Sequence, residues 1–255
     1  MISIAERHLF IKEQLAKNGF VRVQDIADQL GVTGATIRKD LRILESQNVL
    51  HRTHGSASPV RSHVTDVSID EKSVRNIVEK QAIARAAQKL LKKDDSILMA
   101  SGSTVTAFAG LLKPVGSINV VTPSLGIAVQ MLRKDNAKVL MLGGEMYKNS
   151  VSVRGSYAET GLKYVCCSKL FVGCDGLDLD IGVTCATVEE ARLTHAMMAV
   201  CSQTVLLTDS TKFGRKGFGK ISTVEDIDII ITDSGIPESL KNKIEDLGVQ
   251  IIIAE

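Results

Sequence analysis

The sequence predicts an α/β protein: a small N-terminal winged helix-turn-helix followed by a larger α/β domain. Three observations predict it. Residues 3–54 hold three short amphipathic helical stretches, two of them meeting at the glycine-containing turn Gly31-Val32-Thr33-Gly34. From residue 95 onward, short apolar runs alternate with amphipathic segments, the pattern of a largely parallel sheet covered on both faces. The length of 255 residues suits two domains, at about 100–200 residues each. The expected division is 1–56 for the winged helix-turn-helix, 57–74 for a linker and 75–255 for the α/β domain.

The N-terminal elements follow from local chemistry. Ser3 with Glu6 fits a capping box at a helix start. Ile4, Leu9 with Phe10, and Leu15 supply an apolar stripe, and Asn18-Gly19 ends the run. Val21-Arg22-Val23 reads as extended. A second helix carries Ile26, Ala27 and Leu30 and stops at Gly31. Thr33 caps a third, in which Ile37, Leu41 and Leu44 face inward. That leaves Thr36, Arg38, Lys39 and Arg42 outward, with Arg38 and Arg42 four apart on one face. An arginine can fork onto a guanine edge, and either basic residue can hold a phosphate. Thr33 and Thr36, near the helix start, can meet phosphate or a base edge. Val49–Gly55 reads as a strand and turn, a wing with Arg52 and His54 at its tip. Double-stranded DNA is therefore one reading, and a surface helix with solvated charges is the other. His51-x-x-His54 lacks a Cys or carboxylate at ligand spacing, so no metal site is expected.

Residues 56–72 hold Ser, Pro and alternating charges with weak periodicity and read as a linker. Residues 73–92 read as a helix with Ile77, Ile83, Ala84, Ala87 and Leu90–Leu91 on its apolar face, a candidate for linking or dimerising. Seven strands are expected at Ile97–Ala100, Ile118–Val121, Val139–Leu142, Leu170–Val172, Val205–Leu207, Ile229–Ile231 and Val249–Ile253. Helices are expected at 104–112, 124–133, 187–201 and 237–247, with Pro237 in a first turn.

Composition narrows the classes. The chain is 44% hydrophobic, which excludes a mainly disordered protein. No apolar run reaches about 18 residues, so no membrane span is expected. No signal peptide is evident, and five Cys without C-x-x-C spacing read as reduced thiols, mostly small buried hydrophobes, in a cytoplasmic protein. Residues 1–62 carry nine Lys and Arg against six Asp and Glu, whereas the remainder carries 22 against 23. The basic excess lies where the DNA-binding motif is read.

Polar loops gather at the expected C-terminal ends of the strands, where open parallel sheets bind ligands. They are Ser101-Gly102-Ser103-Thr104, Thr122-Pro123-Ser124, Gly143-Gly144-Glu145, Gly173-Cys174-Asp175-Gly176 and Thr208–Lys212. Small residues opening a helix suit a phosphate. An anion at 101–104, a hydroxyl-binding Asp175 and a cationic Lys212 would suit a phosphorylated sugar or polyol. Asp175, Glu189 or Glu190, and Lys212 admit three readings: an isomerase's acid-base set, ligand recognition, or helix caps and pairs with Arg192. No cofactor is expected. His195 reads as a packing histidine, and Lys212–Lys220 as a lid or a solvated loop.

The run from Val23 to Leu41, with Leu44-Glu45 and His51-Arg-Thr-His-Gly55, resembles the DeoR family of bacterial transcription regulators. The C-terminal half resembles it too, in Ser101–Thr104, Val120–Ser124, Leu142–Gly144, Phe171–Gly176, Gly182–Thr184, Glu189–Ala191 and Asp209–Phe213. Ser56, Ala100 and Pro123 depart from the family pattern, which usually shows Gly, Asp and Asn there. Thr36–Leu41 and Asp175–Thr184 look closest to glucitol (sorbitol) operon repressors. The resemblance implies a sensor domain like the sugar-phosphate isomerase and CoA-transferase superfold. It implies a repressor, homo-oligomeric as dimer or tetramer, that binds operator DNA through Thr33, Thr36, Arg38, Lys39, Arg42, Arg52 and His54. The effector would meet Ser101, Gly102, Ser103, Thr104, Thr122, Ser124, Gly143, Asp175, Gly176, Glu190 and Lys212. The alternative is a sugar-phosphate isomerase with an accessory helix-turn-helix.

Overall fold

The computed structural model describes residues 2–18, 20–46, 49–53, 55–59 and 66–255. The chain divides into two units, Met1–Ser62 and His63–Glu255.

The first unit contains α1 (Ile4–Asn18), β1 (Val21–Arg22), α2 (Val23–Leu30), α3 (Gly34–Ser46), β2 (Leu50–Thr53) and β3 (Ser56–Pro59). The Ser3–Glu6 capping box forms reciprocally, at 2.8 and 3.2 Å. Gly31 ends α2 in the left-handed region, φ 62°, donating its N–H to the Ala27 carbonyl. The three strands are antiparallel in the order β1-β3-β2. Residues 57–59, read as linker from the sequence, are therefore the returning strand of the wing. The core gathers Ile11, Leu15, Ile26, Ile37, Leu41, Leu44 and Leu50. The stripe of α1 differs from the expected one: Ile4 and Leu9 are exposed, and Ile11, four before Leu15, takes the inward place.

The second unit opens with α4 (Ile69–Ser73) and α5 (Ile77–Gln88), followed by β4 (Ser96–Met99), α6 (Ser103–Leu111), β5 (Ile118–Thr122), α7 (Leu125–Leu132) and β6 (Ala137–Met141). A hairpin of β7 (Glu145–Tyr147) and β8 (Ser152–Arg154) leads to α8 (Ser156–Leu162) and β9 (Lys169–Val172). Then come β10 (Gly176–Asp178), β11 (Gly182–Cys185), α9 (Val188–Ala199) and β12 (Thr204–Leu207). A 3-10 turn at Ser210–Lys212 precedes β13 (Gly219–Ser222), β14 (Ile229–Asp233), α10 (Glu238–Asp246) and β15 (Gln250–Ala254).

All seven expected strands join one sheet, in the order β15-β14-β12-β9-β4-β5-β6, and every pairing is parallel. Alternation along the strands divides the core. Ile97, Met99, Phe171, Val205 and Ile231 pack with α5 and α6 on one face. Leu98, Ala100, Leu170, Leu206 and Ile230 pack with α8 and α9 on the other. Both faces are covered, so the strands read as continuous apolar runs. A smaller antiparallel sheet, β10-β11-β13, covers part of the second face.

Two expectations about the segment before the sheet change. Residues 69–73 form α4, and α5 begins only at Ile77 because Asn76 adopts φ 50°, ψ 45°. Ala82, Ile83, Ala84, Ala86 and Ala87 of α5 are buried in this unit's own core. Of the apolar face read for linking or dimerising, Ile83, Ala84, Ala87 and Leu91 are therefore buried in this unit, whereas Ile77 is exposed.

Candidate DNA-contacting helix and effector site

On α3, Ile37, Leu41 and Leu44 point inward while Arg38, Lys39 and Arg42 are exposed. None of the three basic side chains forms an ion pair among the described residues. Thr33 accepts from the Thr36 N–H at 3.2 Å, and the two hydroxyls meet at 3.0 Å. Arg52 is partly engaged: its N–H donates to Glu45 at 2.9 Å and its guanidinium lies 3.6 Å from the same carboxylate. This ties β2 to α3. His54 lies outside the described residues.

One functional support escaped the sequence reading. Asp40 is buried on the inner side of α3 and receives both Arg7 nitrogens, at 2.6 and 3.0 Å. The pair fixes α1 against α3 and holds the Arg7 guanidinium above its ordinary pKa. Sequence pattern gives no hint that this one charge of α3 turns inward.

In the α/β unit the sheet order reverses between β4 and β9: the chain moves from β4 outward to β6, then returns to β9 on the other side. Ligands in open parallel sheets sit at such a switch point. The loops leaving those strands are Ser101–Thr104 and Gly173–Asp175. Gly102 opens α6 at φ 132°, ψ 148°, leaving first-turn N–H groups without intrahelical partners. Ser101 and Ser103 are half-buried, and Thr104 is buried.

Asp175 is buried and takes the Lys72 ammonium at 2.6 Å. Lys72 lies on α4, which packs beside α6. Glu190, next to the Thr187 cap of α9, meets Arg154 at 3.3 Å. Burial and the Asp175 charge push its carboxyl up, against the pull of Arg154 and Lys72. Arg154 also donates to Thr187 at 2.8 Å and lies 3.7 Å over the Tyr147 ring. Glu190 thus pairs with Arg154, whereas Arg192 pairs with Glu159. Lys212 is half-buried, with no side-chain partner among the described residues. Its charge, with those of Asp175 and Asp209, acts on Cys174, whose thiol burial pushes up to about 12.

Other expected effector residues have structural tasks. Thr122 and Ser124 are buried; Thr122 donates to the Met99 carbonyl at 2.8 Å and Ser124 caps α7. Gly176 sits where a Cβ would come within 2.3 Å of the Arg215 carbonyl. Its smallness serves close packing of two backbones. Gly143 is exposed. The Lys212–Lys220 stretch is tied down rather than a free lid: the Gly214 N–H donates to Leu177, Lys216 pairs with Asp178, and Gly219 begins β13. His195 meets the Ile221 carbonyl through Nδ1. Cys167 and Cys185 are buried, but Cys166 is exposed, against the expectation for the cysteines.

The sequence profile of the DeoR-like helix-turn-helix domain matches residues 7–63, and that of the DeoR C terminal sensor domain matches residues 75–234. The chain belongs to the DeoR family. Relatives align end to end. An uncharacterized HTH-type transcriptional regulator, YulB, of Bacillus subtilis (strain 168) is 32% identical over 97% of this chain and 96% of its own. The HTH-type transcriptional regulator GlpR of Haloferax volcanii is 32% identical over 97% of each chain. The glycerol-3-phosphate regulon repressor of Escherichia coli (strain K12) is 26% identical over 96% of this chain and 97% of its own.

This DeoR-family chain is therefore a DNA-binding transcription regulator, and the isomerase alternative gives way. The residues that the sequence reading missed in its sensor unit are Lys72, Lys80 and Arg154, while Asp209 was read only as part of the loop Thr208–Lys212. The first two lie in the stretch read as linker and helix surface, where charge pattern alone suggests solvation. Arg154 comes from a three-residue strand too short to show a period. No group of three or more His, Cys, Asp or Glu among the described residues is placed to hold a metal. Among the described residues no helix is long and apolar enough to cross a membrane.

Proposed function

We propose that this DeoR-family regulator represses a sugar or polyol catabolic operon in the cytoplasm and releases its operator when a phosphorylated sugar or polyol occupies the β4/β9 switch point. The observation that carries the reading is the gathering there of a free helix start at Gly102–Thr104 with the ammonium groups of Lys72 and Lys212, beside the buried carboxylate of Asp175. Cations and helix N–H groups suit a phosphate. A buried carboxylate that accepts hydrogen bonds suits sugar hydroxyls. A relative bears the name of a glycerol-3-phosphate regulon repressor, and glycerol 3-phosphate is a phosphorylated polyol. Ser101, Ser103, Thr104, Asp175, Glu190 and Lys212 are the proposed contacts, with Thr122, Ser124 and Gly176 holding the loops behind them.

Operator contact is assigned to Thr33, Thr36, Arg38, Lys39 and Arg42, with Arg52 and His54 on the wing. One such head reads few bases, so a homo-oligomer, dimer or tetramer, presents two to successive half-sites.

A thermal-shift screen tests the effector. A ligand at 100 times its Kd adds about 2.7 kcal/mol to apparent stability. Phosphate esters of pentoses, hexoses and polyols should raise the melting temperature, and their unphosphorylated parents should not. Stabilisation by unphosphorylated sugars alone would remove the anion site from the proposal.

A further inference from the structure

The segment between residues 66 and 76, which leads the chain from the DNA-binding unit into the sheet, is bound to the sensor unit almost wholly by polar contacts. Asp66 accepts from the Tyr147 hydroxyl at 2.5 Å and from Asn149 at 3.0 Å. The Ile69 N–H donates to the Asn149 carbonyl at 2.7 Å. Lys72 pairs with Asp175 at 2.6 Å, and the Asn76 amide donates to Asp209 at 3.0 Å. Lys80 of α5 is buried and donates to the carbonyls of Lys72 and Arg75. No residue of α4 is buried. Val67 and Ile69 are half-buried and no residue of 66–76 is buried, so the hold of the segment leans on its polar contacts.

Two of the groups that hold this segment are buried acids at the strand ends: Asp175 after β9, at the switch point, and Asp209 after its neighbour β12. With no effector bound, the Lys72 ammonium neutralises Asp175. A phosphate at the start of α6, beside α4, competes for that ammonium, and a sugar hydroxyl donates to Asp175 in its place. The chain turns sharply beyond Lys72, where Asn76 holds φ 50°, a region that asparagine adopts more readily than other non-glycine residues.

We propose that residues 66–76 form a latch over the effector site, with Lys72 as its exchangeable contact. Effector binding transfers Lys72 from Asp175 to the phosphate, unseats α4 and thereby loosens the chain that carries the DNA-binding unit. This deepens the proposed function and rests on it for the trigger; the latch itself is read from the contacts alone.

The test uses the full chain and a duplex selected by that chain from a random pool. Lys72→Gln should raise amide exchange across 66–76 and weaken duplex binding about tenfold with no effector present, the range of ordinary coupling between sites. Arg192→Gln, which removes an exposed arginine paired with Glu159 rather than with the segment, should behave as the parent. Lys72→Gln with unchanged exchange overturns the latch; so does a loosened segment with unchanged or tightened duplex binding. If Lys72→Gln does not fold, Asp66→Asn decides: it weakens the contact with Tyr147 and Asn149 at the other end of the segment, and unchanged exchange across 66–76 or unchanged duplex binding in that folded variant overturns the latch. Glycerol 3-phosphate and hexose 6-phosphates separate the two ideas. If no ester stabilises the parent yet Lys72→Gln loosens both readouts, the latch stands and the effector assignment falls. If an ester stabilises the parent but exchange across 66–76 does not change, the effector assignment stands and the latch falls.

Discussion

Asp40 and Asp95 show how much one buried charge can do. Asp40 fixes the inner side of α3 through Arg7. Removing one partner of a buried pair leaves the other uncompensated, at a cost of about 3–5 kcal/mol. Asp40→Ala should therefore lower the urea midpoint of the DNA-binding unit and weaken duplex binding without touching DNA. Asp95 lies against Lys169 at 2.7 Å and also accepts from Ser168. Burial pushes its carboxyl up, but those two donors outweigh it and hold the folded pKa below the ordinary 3.8. Its contribution is therefore complete above pH 3.8 and is lost as the pH falls through that value toward the folded pKa. Asp95→Asn should flatten this part of the acid limb of a stability-against-pH curve measured by urea melts. Glu190 has the opposite sign: its raised pKa makes the ionised form a burden above its ordinary 4.5, relieved on acidification. Neither Asp40 nor Asp95 was legible in the sequence, because an acid among charged and polar neighbours looks solvated until its partner, 33 or 74 residues away, is known.

At the level of elements, α3 was the most legible. Ile37, Leu41 and Leu44 leave the opposite face to Arg38, Lys39 and Arg42, and the structure exposes all three. Arg38→Ala and Arg42→Ala should lose duplex binding in gel shifts while the melting temperature holds. Lys39→Ala should weaken binding evenly across sequences and reduce the salt slope by about 1. The hairpin β7–β8 and the sheet β10-β11-β13 were not legible. Their strands are three or four residues long, and β11 finds β13 more than thirty residues later. Periodicity needs length, and pairing at that distance leaves no local trace. Gly176 shows the ambiguity of a single glycine. In sequence it looks like part of a ligand loop; in space it lets β10 lie against the Arg215 carbonyl. Gly176→Ala should destabilise the sensor unit by about 1–3 kcal/mol, as overpacking commonly does, seen as a lowered urea midpoint.

Across the whole molecule, two separate cores make two foldable bodies. Each has its own buried apolar cluster, the condition for independent folding. Residues 63–255 expressed alone should remain folded by circular dichroism, keep any phosphate-ester stabilisation and lose duplex binding. Failure of that fragment to fold would mean that its core depends on the helix-turn-helix. The division itself was partly legible. The change of texture at residue 95 marked the sheet, whereas the segment before it looked like a linker because its contacts are polar and distant. The seven strands were legible for the opposite reason: burial on both faces makes each one an uninterrupted apolar word.

Because every strand of the large sheet points the same way, all their outgoing turns open on one rim, while the staves beneath are committed to holding one another together. A chain that had to answer a different metabolite would need new lettering along that rim alone. Its open sheet and its grip on the double helix could pass unchanged from one diet to the next.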